Sequence, residues 1–243
     1  MFHLPYHSKL HPKLWRRDGT LRPEAAEIMT RIYKSVMFML SVYAKVPIDL
    51  DADVADVILC GSCVDYFYGR HSDLDMKIVV NAGRYMKKMN EQTYITITKF
   101  IRSYFIERYA PHVRGIKMDI GIANKVYDMP NYSLTKGRWN QKPDRWTKEE
   151  LKYIRHRSKL IYLAMRNSAM RIIRNRNNHW EAKWFYQYIK SRRGLSWEEQ
   201  WGNRSPFSLA FSCFNRAGFV DKLLAIDEKN VKRLMMNIKC APA

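Results

Sequence analysis

Acidic residues are scarce in this chain. The 243 residues include 23 Asp plus Glu against 43 Lys plus Arg, which gives a formal net charge of +20. Between residues 151 and 180 there is no acidic side chain at all. A surplus of this size attracts polyanions. It predicts nucleic acid as the partner; a basic protein that is only soluble, or one that lies beside anionic lipid, is the alternative.

Cysteine is also rare, and long hydrophobic runs are missing. Four cysteines are too few and too scattered for a disulfide scaffold, so we expect an intracellular, reducing compartment. Cys60-x-x-Cys63 lacks the second ligand pair that a structural zinc site needs, which favours packing around a turn. The longest apolar run near the N-terminus covers residues 36–44, far short of the roughly 20 residues of a membrane span. We therefore expect no membrane partner.

Hydrophobic periodicity predicts an α+β fold in two parts. The first part, residues 20–125, combines strands over 54–60, 73–80 and 116–122 with helices that begin at Pro23 and at residue 93. Residues 124–145 are rich in Pro, Gly, Asn and Trp and are predicted to be a connection. The second part, residues 126–243, is predicted to be mainly helical, with a capping box at Thr147-Lys-Glu-Glu150 and further helices over 180–193, after Ser205-Pro206 and over 227–238.

Three aspartates are candidate metal ligands. Side chains alternate faces along a strand, so Asp73 and Asp75 share one face of the strand over 73–80. The stretch over 116–122 alternates strictly and turns Asp119 away from the core. If the two strands lie side by side, the three carboxylates converge. Such a set suits two Mg²⁺ ions, or Mn²⁺ in their place, which can support an in-line phosphoryl displacement.

The Gly61-Ser62 pair complements the carboxylates. Glycine permits close approach of the backbone, and exposed amides with a hydroxyl group can hold a triphosphate tail. A Gly-Ser turn is common, and an Asp-x-Asp pair often only faces solvent. Their combination, with ten residues between Ser62 and Asp73 and one Asp on a later strand, indicates a nucleotide site.

Gly61, Ser62, Asp73, Asp75 and Asp119 together resemble the signature of the DNA polymerase β-like nucleotidyltransferase superfamily. That signature is a Gly-Ser turn, a spacer, Asp-x-Asp on one strand and a third Asp on another. The resemblance implies a mixed sheet with flanking helices and a mainly helical second domain. It also implies that Asp73 and Asp75 bind both Mg²⁺ ions, that Asp119 binds the catalytic ion and helps to deprotonate the acceptor, and that Ser62 contacts the triphosphate.

Within the superfamily, Ser72-Asp-Leu-Asp-Met76 is most similar to the non-canonical poly(A) polymerases and terminal uridylyltransferases. The segments 189–195 and 205–209 resemble their lysine-bearing helix and their base-stacking element. The resemblance implies that Lys190 reaches a phosphate and that Phe207 stacks on the nucleobase. A solvated Lys190 and a core position for Phe207 are the alternatives.

The sequence thus predicts template-independent transfer of nucleotides from a nucleoside triphosphate, ATP among them, to an RNA 3′ end. A positive track for the RNA backbone is predicted in the second part. Its residues are Arg155, Lys159, Arg166, Arg171, Arg174 and Arg176. The alternatives are a nucleotidyltransferase acting on a small molecule, a protein or a nucleotide, and a catalytically inactive RNA-binding or assembly relative.

Overall fold

The structure divides into two compact units. This computed structural model describes residues 2–4, 6–45, 47–69, 72–81, 90–123, 129–175, 179–198 and 205–226. The first unit, called the sheet unit below, is Pro5–Arg145, and the second, called the helical unit, joins Met1–Leu4 to Trp146–Ala243. None of the helices in these described ranges has both the length and the apolar character that crossing a bilayer requires.

The sheet unit is built on one mixed sheet of six strands. In spatial order they run β3-β4-β2-β1-β5-β6; β2 and β4 are parallel, and the other neighbours are antiparallel. The strands are β1 (Val54–Cys60), β2 (Leu74–Val80), β3 (His112–Val113), β4 (Ile116–Ala123), β5 (Asn131–Ser133) and β6 (Arg138–Gln141). The helices are α1 (Pro23–Ala44), α2 (Leu50–Asp53) and α3 (Glu91–Tyr109).

Alternation along the strands separates an apolar face of the sheet from a polar one. Leu59, Met76 and Ile120 lie on the apolar face and belong to the buried core. Met37 of α1 and Phe105 of α3 complete that core. Because successive side chains of a strand point to opposite faces, the residues of β2 and β4 that alternate with Met76 and Ile120 are turned to the other face of the sheet. Those residues include two of the predicted aspartates.

The sheet unit extends past both predicted limits. It was expected to end at residue 125, but β5 pairs with β1 through Ile58 and Ser133, so the unit continues to Arg145. Ser133 and Thr135 also donate hydrogen bonds of 2.6 Å to the buried carboxylate of Asp56. At the other end, residues before 20 are also part of the unit, since the indole of Trp15 is buried and donates to the Cys63 carbonyl oxygen at 2.9 Å.

The helical unit confirms the predicted helix starts. The Thr147 hydroxyl accepts a hydrogen bond from the Glu150 amide, and the Glu150 carboxylate accepts one from the Thr147 amide, which is the predicted capping box. Ser205 caps the helix that begins at Pro206 by accepting from the Ser208 amide at 3.0 Å. The helices are α4 (Lys148–Arg174), α5 (His179–Glu198) and α6 (Pro206–Arg216), followed by helical residues 219–226. The helix predicted over 227–238 lies outside the described residues.

Candidate functional site

The chain turns sharply at Gly61, immediately after β1. Gly61 has φ +82° and ψ −166°, a combination that is essentially restricted to glycine. The following residues form a single 3₁₀ turn, Ser62–Val64, rather than the start of a longer helix. A Cβ atom at Gly61 would lie 2.0 Å from Oδ2 of Asp75. Glycine is therefore needed at position 61 for two reasons: only glycine adopts this backbone conformation readily, and the Asp75 carboxylate leaves no room for a side chain.

Asp75 and Asp119 are direct neighbours in the sheet. In the parallel pairing of β2 with β4, Asp75 lies opposite Asp119, and on the other side of β2 it lies opposite Cys60. Residues opposite one another on paired strands share a face, with strands about 4.8 Å apart. The condition that the two strands lie side by side is therefore met, and it brings together Asp75 and Asp119.

Asp73 stands just before the strand that carries Asp75, outside the paired residues of β2 and β4. It lies one residue before β2 begins, and its side chain is exposed. In the part of the chain that the structure describes, no group of three His, Cys, Asp or Glu side chains is arranged to hold a metal ion. Asp73 nevertheless lies close enough for its charge to act on the Cys63 thiol. The pair Asp75 and Asp119 is therefore the structural centre of the site.

Asp119 is bound by an arginine that the sequence did not reveal. Arg102 of α3 donates from Nε to Oδ1 at 3.3 Å and from Nη2 to Oδ2 at 2.6 Å. Both carboxylate oxygens are engaged, and the Asp119 side chain keeps 25% of its exposure. Bidentate pairs of this kind are among the stronger ion pairs. A divalent ion at Asp119 would have to share or displace this guanidinium.

A lysine lies in the next row of the same face. Lys77 is two residues beyond Asp75, and it pairs across the sheet with Gly121, two residues beyond Asp119. A Cβ atom at Gly121 would meet Lys77 Nζ at 2.9 Å, so the missing side chain leaves room for the lysine. Lys77 is half-buried. It supplies a positive charge beside the two carboxylates.

Cys60 and Cys63 are buried thiols. Burial, and secondarily the negative charge of Asp75, raises the pKa of Cys60 to about 12. Burial also raises the pKa of Cys63, with smaller contributions from Asp73 and Asp75. Thiols that stay protonated at neutral pH are poor metal ligands and poor nucleophiles. Their placement agrees with packing around the turn rather than with zinc or redox chemistry.

The two site residues predicted in the helical unit differ in exposure. Lys190 is exposed on α5, with its Nζ 6.0 Å from the ring centroid of Tyr186. Phe207 lies in the first turn of α6, is partly buried and packs against the hydrophobic core of this unit. Lys190 is thus accessible to an anion, whereas Phe207 has the position that the core alternative describes.

The predicted basic track lies mainly on the exposed side of α4. Arg155, Lys159 and Arg166 are exposed and have i, i+4, i+11 spacing, so they share one stripe of the helix. Arg171 is different, because it donates to the Glu181 carboxylate of α5 at 2.9 Å. Arg174 lines an open surface depression of about 630 Å³ with Arg166 and Arg171. Arg176 lies outside the described residues.

A row of exposed aromatic rings runs along α5. Trp180, Trp184 and Tyr188 are 67%, 65% and 47% exposed, and they follow one another at i, i+4 and i+8. The rings of Trp184 and Tyr188 are stacked, with centroids 5.5 Å apart and planes at 10°. Phe185 and Ile189 point to the core instead. The four-residue spacing is the sequence signal that could have identified this row.

Comparison with known proteins gives no relative for the chain. No protein-family model matches it, and no curated protein and no solved structure matches it.

Proposed function

We propose that this protein is a template-independent nucleotidyltransferase that adds nucleotides from a nucleoside triphosphate to an RNA 3′ end. The observation that carries the proposal is the pairing of Asp75 with Asp119 beside the Gly61 turn. Two carboxylates on one face of a sheet, next to a backbone turn that only glycine can form, match the requirements of a metal-dependent phosphoryl-transfer site. The resemblance to the polymerase β-like superfamily supports the same activity.

The donor set fits magnesium. Mg²⁺ is bound in nucleotide-using enzymes by one or two carboxylates together with substrate phosphates and water. Asp75 and Asp119 would supply these carboxylates to two Mg²⁺ or Mn²⁺ ions. Asp73, from the segment before β2, would supply a third. When bound, such ions neutralise charge on the phosphates and lower the pKa of the attacking hydroxyl.

The remaining residues of the sheet unit would bind and orient the substrates. The 3′ oxygen of the acceptor forms a bond to the α-phosphorus, the bond from that phosphorus to the β-phosphate bridge breaks, and pyrophosphate leaves. Asp119 assists removal of the hydroxyl proton. The Ser62 hydroxyl and the amides of the turn hold the triphosphate, and Lys77 balances its negative charge.

The helical unit would hold the RNA and the nucleotide. Lys190 is proposed to contact a phosphate, and the exposed part of the Phe207 ring is proposed to stack on the nucleobase. The stripe formed by Arg155, Lys159 and Arg166 provides positive charge along one helix. The stacked rings on α5 add a surface on which unpaired bases can stack, which is how proteins commonly bind single strands.

Primer extension tests the proposal. Purified protein with Mg²⁺, a labelled nucleoside triphosphate and a short RNA should lengthen the RNA, and Asp75→Asn should abolish the product while the thermal unfolding midpoint stays close to that of wild type. Asp51→Asn is the matched control, because Asp51 is an exposed aspartate in α2 of the same unit. Equal extension by wild type and Asp75→Asn would end the proposal. Labelling of an added small molecule, with no extension, would favour the small-molecule alternative.

The Arg102 ion pair favours a second candidate, a catalytically inactive RNA-binding relative. An arginine that holds both oxygens of Asp119 does what a metal ion would otherwise do. Calorimetric titration separates the two candidates. An enzyme binds nucleoside triphosphate more tightly when Mg²⁺ is present, whereas an inactive relative binds RNA and shows no metal-dependent binding of nucleotide.

A further inference from the structure

The sheet unit contains a strongly basic cavity built from residues other than the aspartates. It has a volume of about 360 Å³ and lies between the segment over 9–22 and the residues that follow β6. Its lining includes six cationic side chains and one carboxylate, Asp18, which is a net charge of +5. The six cations are Lys9, Arg16, Arg17, Arg22, Lys142 and Arg145.

The loop that carries two of these arginines is held in a fixed conformation. The Arg16 amide donates to the Thr20 carbonyl oxygen at 2.8 Å, and the Gly19 amide donates back to the Arg16 carbonyl oxygen at 3.1 Å. Gly19 has φ +84°, which closes this tight turn. The Gly19 carbonyl oxygen also accepts a hydrogen bond from the Trp139 indole of β6 at 3.0 Å. Arg16 and Arg17 are therefore presented by a hydrogen-bonded turn anchored to the sheet.

The one carboxylate in the lining can offset only one of the six positive charges. Oδ1 of Asp18 accepts hydrogen bonds from the amide and the hydroxyl of Thr20, at 2.8 and 2.6 Å. These two bonds, and to a smaller extent the positive charge of Arg16, hold the pKa of Asp18 below its ordinary value, so Asp18 stays charged. In the described ranges, no ion pair within 4.0 Å involves any of the six cations. Arg22 donates from Nε to the Pro12 carbonyl oxygen at 2.9 Å, but that partner is uncharged, so a net positive charge is left for a ligand.

Two of the residues that line the cavity are aromatic. Trp15 and Tyr66 are both buried, and the guanidinium carbon of Arg145 lies 5.8 Å from the centre of the Tyr66 ring. Lys142 extends over Gly19, with its Nζ 3.7 Å from where a Cβ atom would stand. Buried rings keep water away from one side of the cavity, which strengthens the attraction between the cations and an anion.

We propose that this cavity is a phosphate-binding site that takes a 5′-phosphorylated nucleotide, either free or as the 5′ end of an RNA. Several guanidinium and ammonium groups converging on one space are suited to phosphate oxygens. The volume is at the lower end of the roughly 300–1,000 Å³ of small-ligand pockets, which suits one nucleotide better than a bare ion. The site shares no residue with the carboxylate site and does not depend on transferase activity.

Calorimetric titration of the full chain tests this site. The probes are AMP, inorganic phosphate, and a short oligoadenylate prepared with and without a 5′-phosphate. We expect the double variant Arg17→Gln/Lys142→Gln to weaken AMP binding about tenfold or more, because it removes two charge-assisted contacts. Both residues are exposed, and none of the described side-chain hydrogen bonds involves them, so the thermal unfolding midpoint should stay near that of wild type.

Arg138→Gln is the matched control for loss of charge. Arg138 is exposed on β6 of the same unit and does not line the cavity. Tighter binding of the 5′-phosphorylated oligoadenylate than of AMP identifies an RNA end as the ligand, and the reverse order identifies a free nucleotide. The proposal is overturned if the protein binds no AMP and binds the oligoadenylate equally well with and without its 5′-phosphate. It is also overturned if Arg138→Gln loses as much affinity for AMP as the double variant does.

The failure of this site can be told apart from the failure of the proposed enzyme. Asp75→Asn should leave the difference between the phosphorylated and unphosphorylated oligoadenylate unchanged, since Asp75 does not line the cavity. If that variant also removes the difference, the bound phosphate lies at the carboxylate site and the cavity proposal is wrong.

Discussion

Replacing Gly61 with alanine tests how closely the turn and the Asp75 carboxylate are packed. The φ and ψ of Gly61, +82° and −166°, are accessible almost only to glycine. An alanine in this region carries a backbone cost of about 1–3 kcal/mol. Its Cβ would also lie 2.0 Å from Oδ2 and 3.0 Å from Cγ of Asp75.

Asp75 has to move to make room for that methyl group. Side-chain atoms essentially never approach a Cβ atom to less than 3.0 Å, so Oδ2 must withdraw by at least about 1 Å. A misplacement of about 1 Å in a catalytic group can cost on the order of 100-fold in rate. We therefore expect Gly61→Ala to lose about 1–3 kcal/mol of unfolding free energy and on the order of 100-fold in primer extension.

Gly137→Ala is the control for backbone strain alone. Gly137 has φ +64°, and nothing lies within 4 Å of the position of its Cβ. An alanine there should cost about 1–2 kcal/mol of stability and leave extension unchanged. Urea unfolding and primer extension on both variants give the two readouts. A fully active, fully stable Gly61→Ala protein would refute the described packing, and so would an equal loss of activity in Gly137→Ala.

Four further variants probe three separate features. Arg102→Gln should tighten Mn²⁺ binding severalfold in a calorimetric titration, because it removes the cation that holds both oxygens of Asp119; unchanged or weaker binding would show that Arg102 does not compete with the ion. Burial tends to raise the pKa of Asp56, but hydrogen bonds from Ser133, Thr135 and Asn140 and the charge of Lys136 hold it below the ordinary 3.8. Asp56→Asn should therefore lower the unfolding free energy near neutral pH by about 1–3 kcal/mol, and the deficit should shrink as the pH falls below 3.8 and wild-type Asp56 is protonated; a deficit that does not change with pH contradicts this. The triple variant Arg155→Gln/Lys159→Gln/Arg166→Gln neutralises the stripe on α4. The slope of log K for RNA binding against log salt concentration should become shallower by about 2 in this variant. Arg171→Gln should change that slope by less than the roughly 0.7 expected for one lost phosphate contact, because its guanidinium is bonded to Glu181.

Much of the sheet unit could be predicted because its signals are local. The strict alternation over 116–122 and the apolar run over 54–60 correspond to β4 and β1. Alternation also placed Asp75 and Asp119 on the polar face, and the parallel pairing of their strands brought them together. The capping box at Thr147 was readable for the same reason, since its two hydrogen bonds span three residues.

Features that depend on distant contacts could not be predicted in this way. β5 and β6 are three and four residues long, too short for a periodic signal, and β5 is held by β1 more than seventy residues earlier in the chain. The pairing of Arg102 with Asp119 requires α3 and β4 to be packed together, which a helical pattern alone does not reveal. Residues 124–145 therefore looked like a connection, although 131–141 completes the sheet.

The α5 aromatic row was missed for a different reason. Large aromatic side chains are usually buried, so the sequence alone did not single out Trp180 and Trp184 as an exposed surface. The buried side of α5 is formed instead by residues such as Ala182, Phe185 and Ile189. An aromatic residue at every fourth position of a helix that already has another apolar face indicates a second, exposed surface.

Direct measurement of Mn²⁺ binding tests the central claim that Asp75 and Asp119 together form a divalent-cation site. Titration followed by water-proton relaxation needs neither nucleotide nor RNA, so it is independent of the proposed substrates. Saturable binding is expected for wild type and for Asp51→Asn, and it should be lost in both Asp75→Asn and Asp119→Asn. Equal Mn²⁺ binding by wild type, Asp75→Asn and Asp119→Asn would contradict the account.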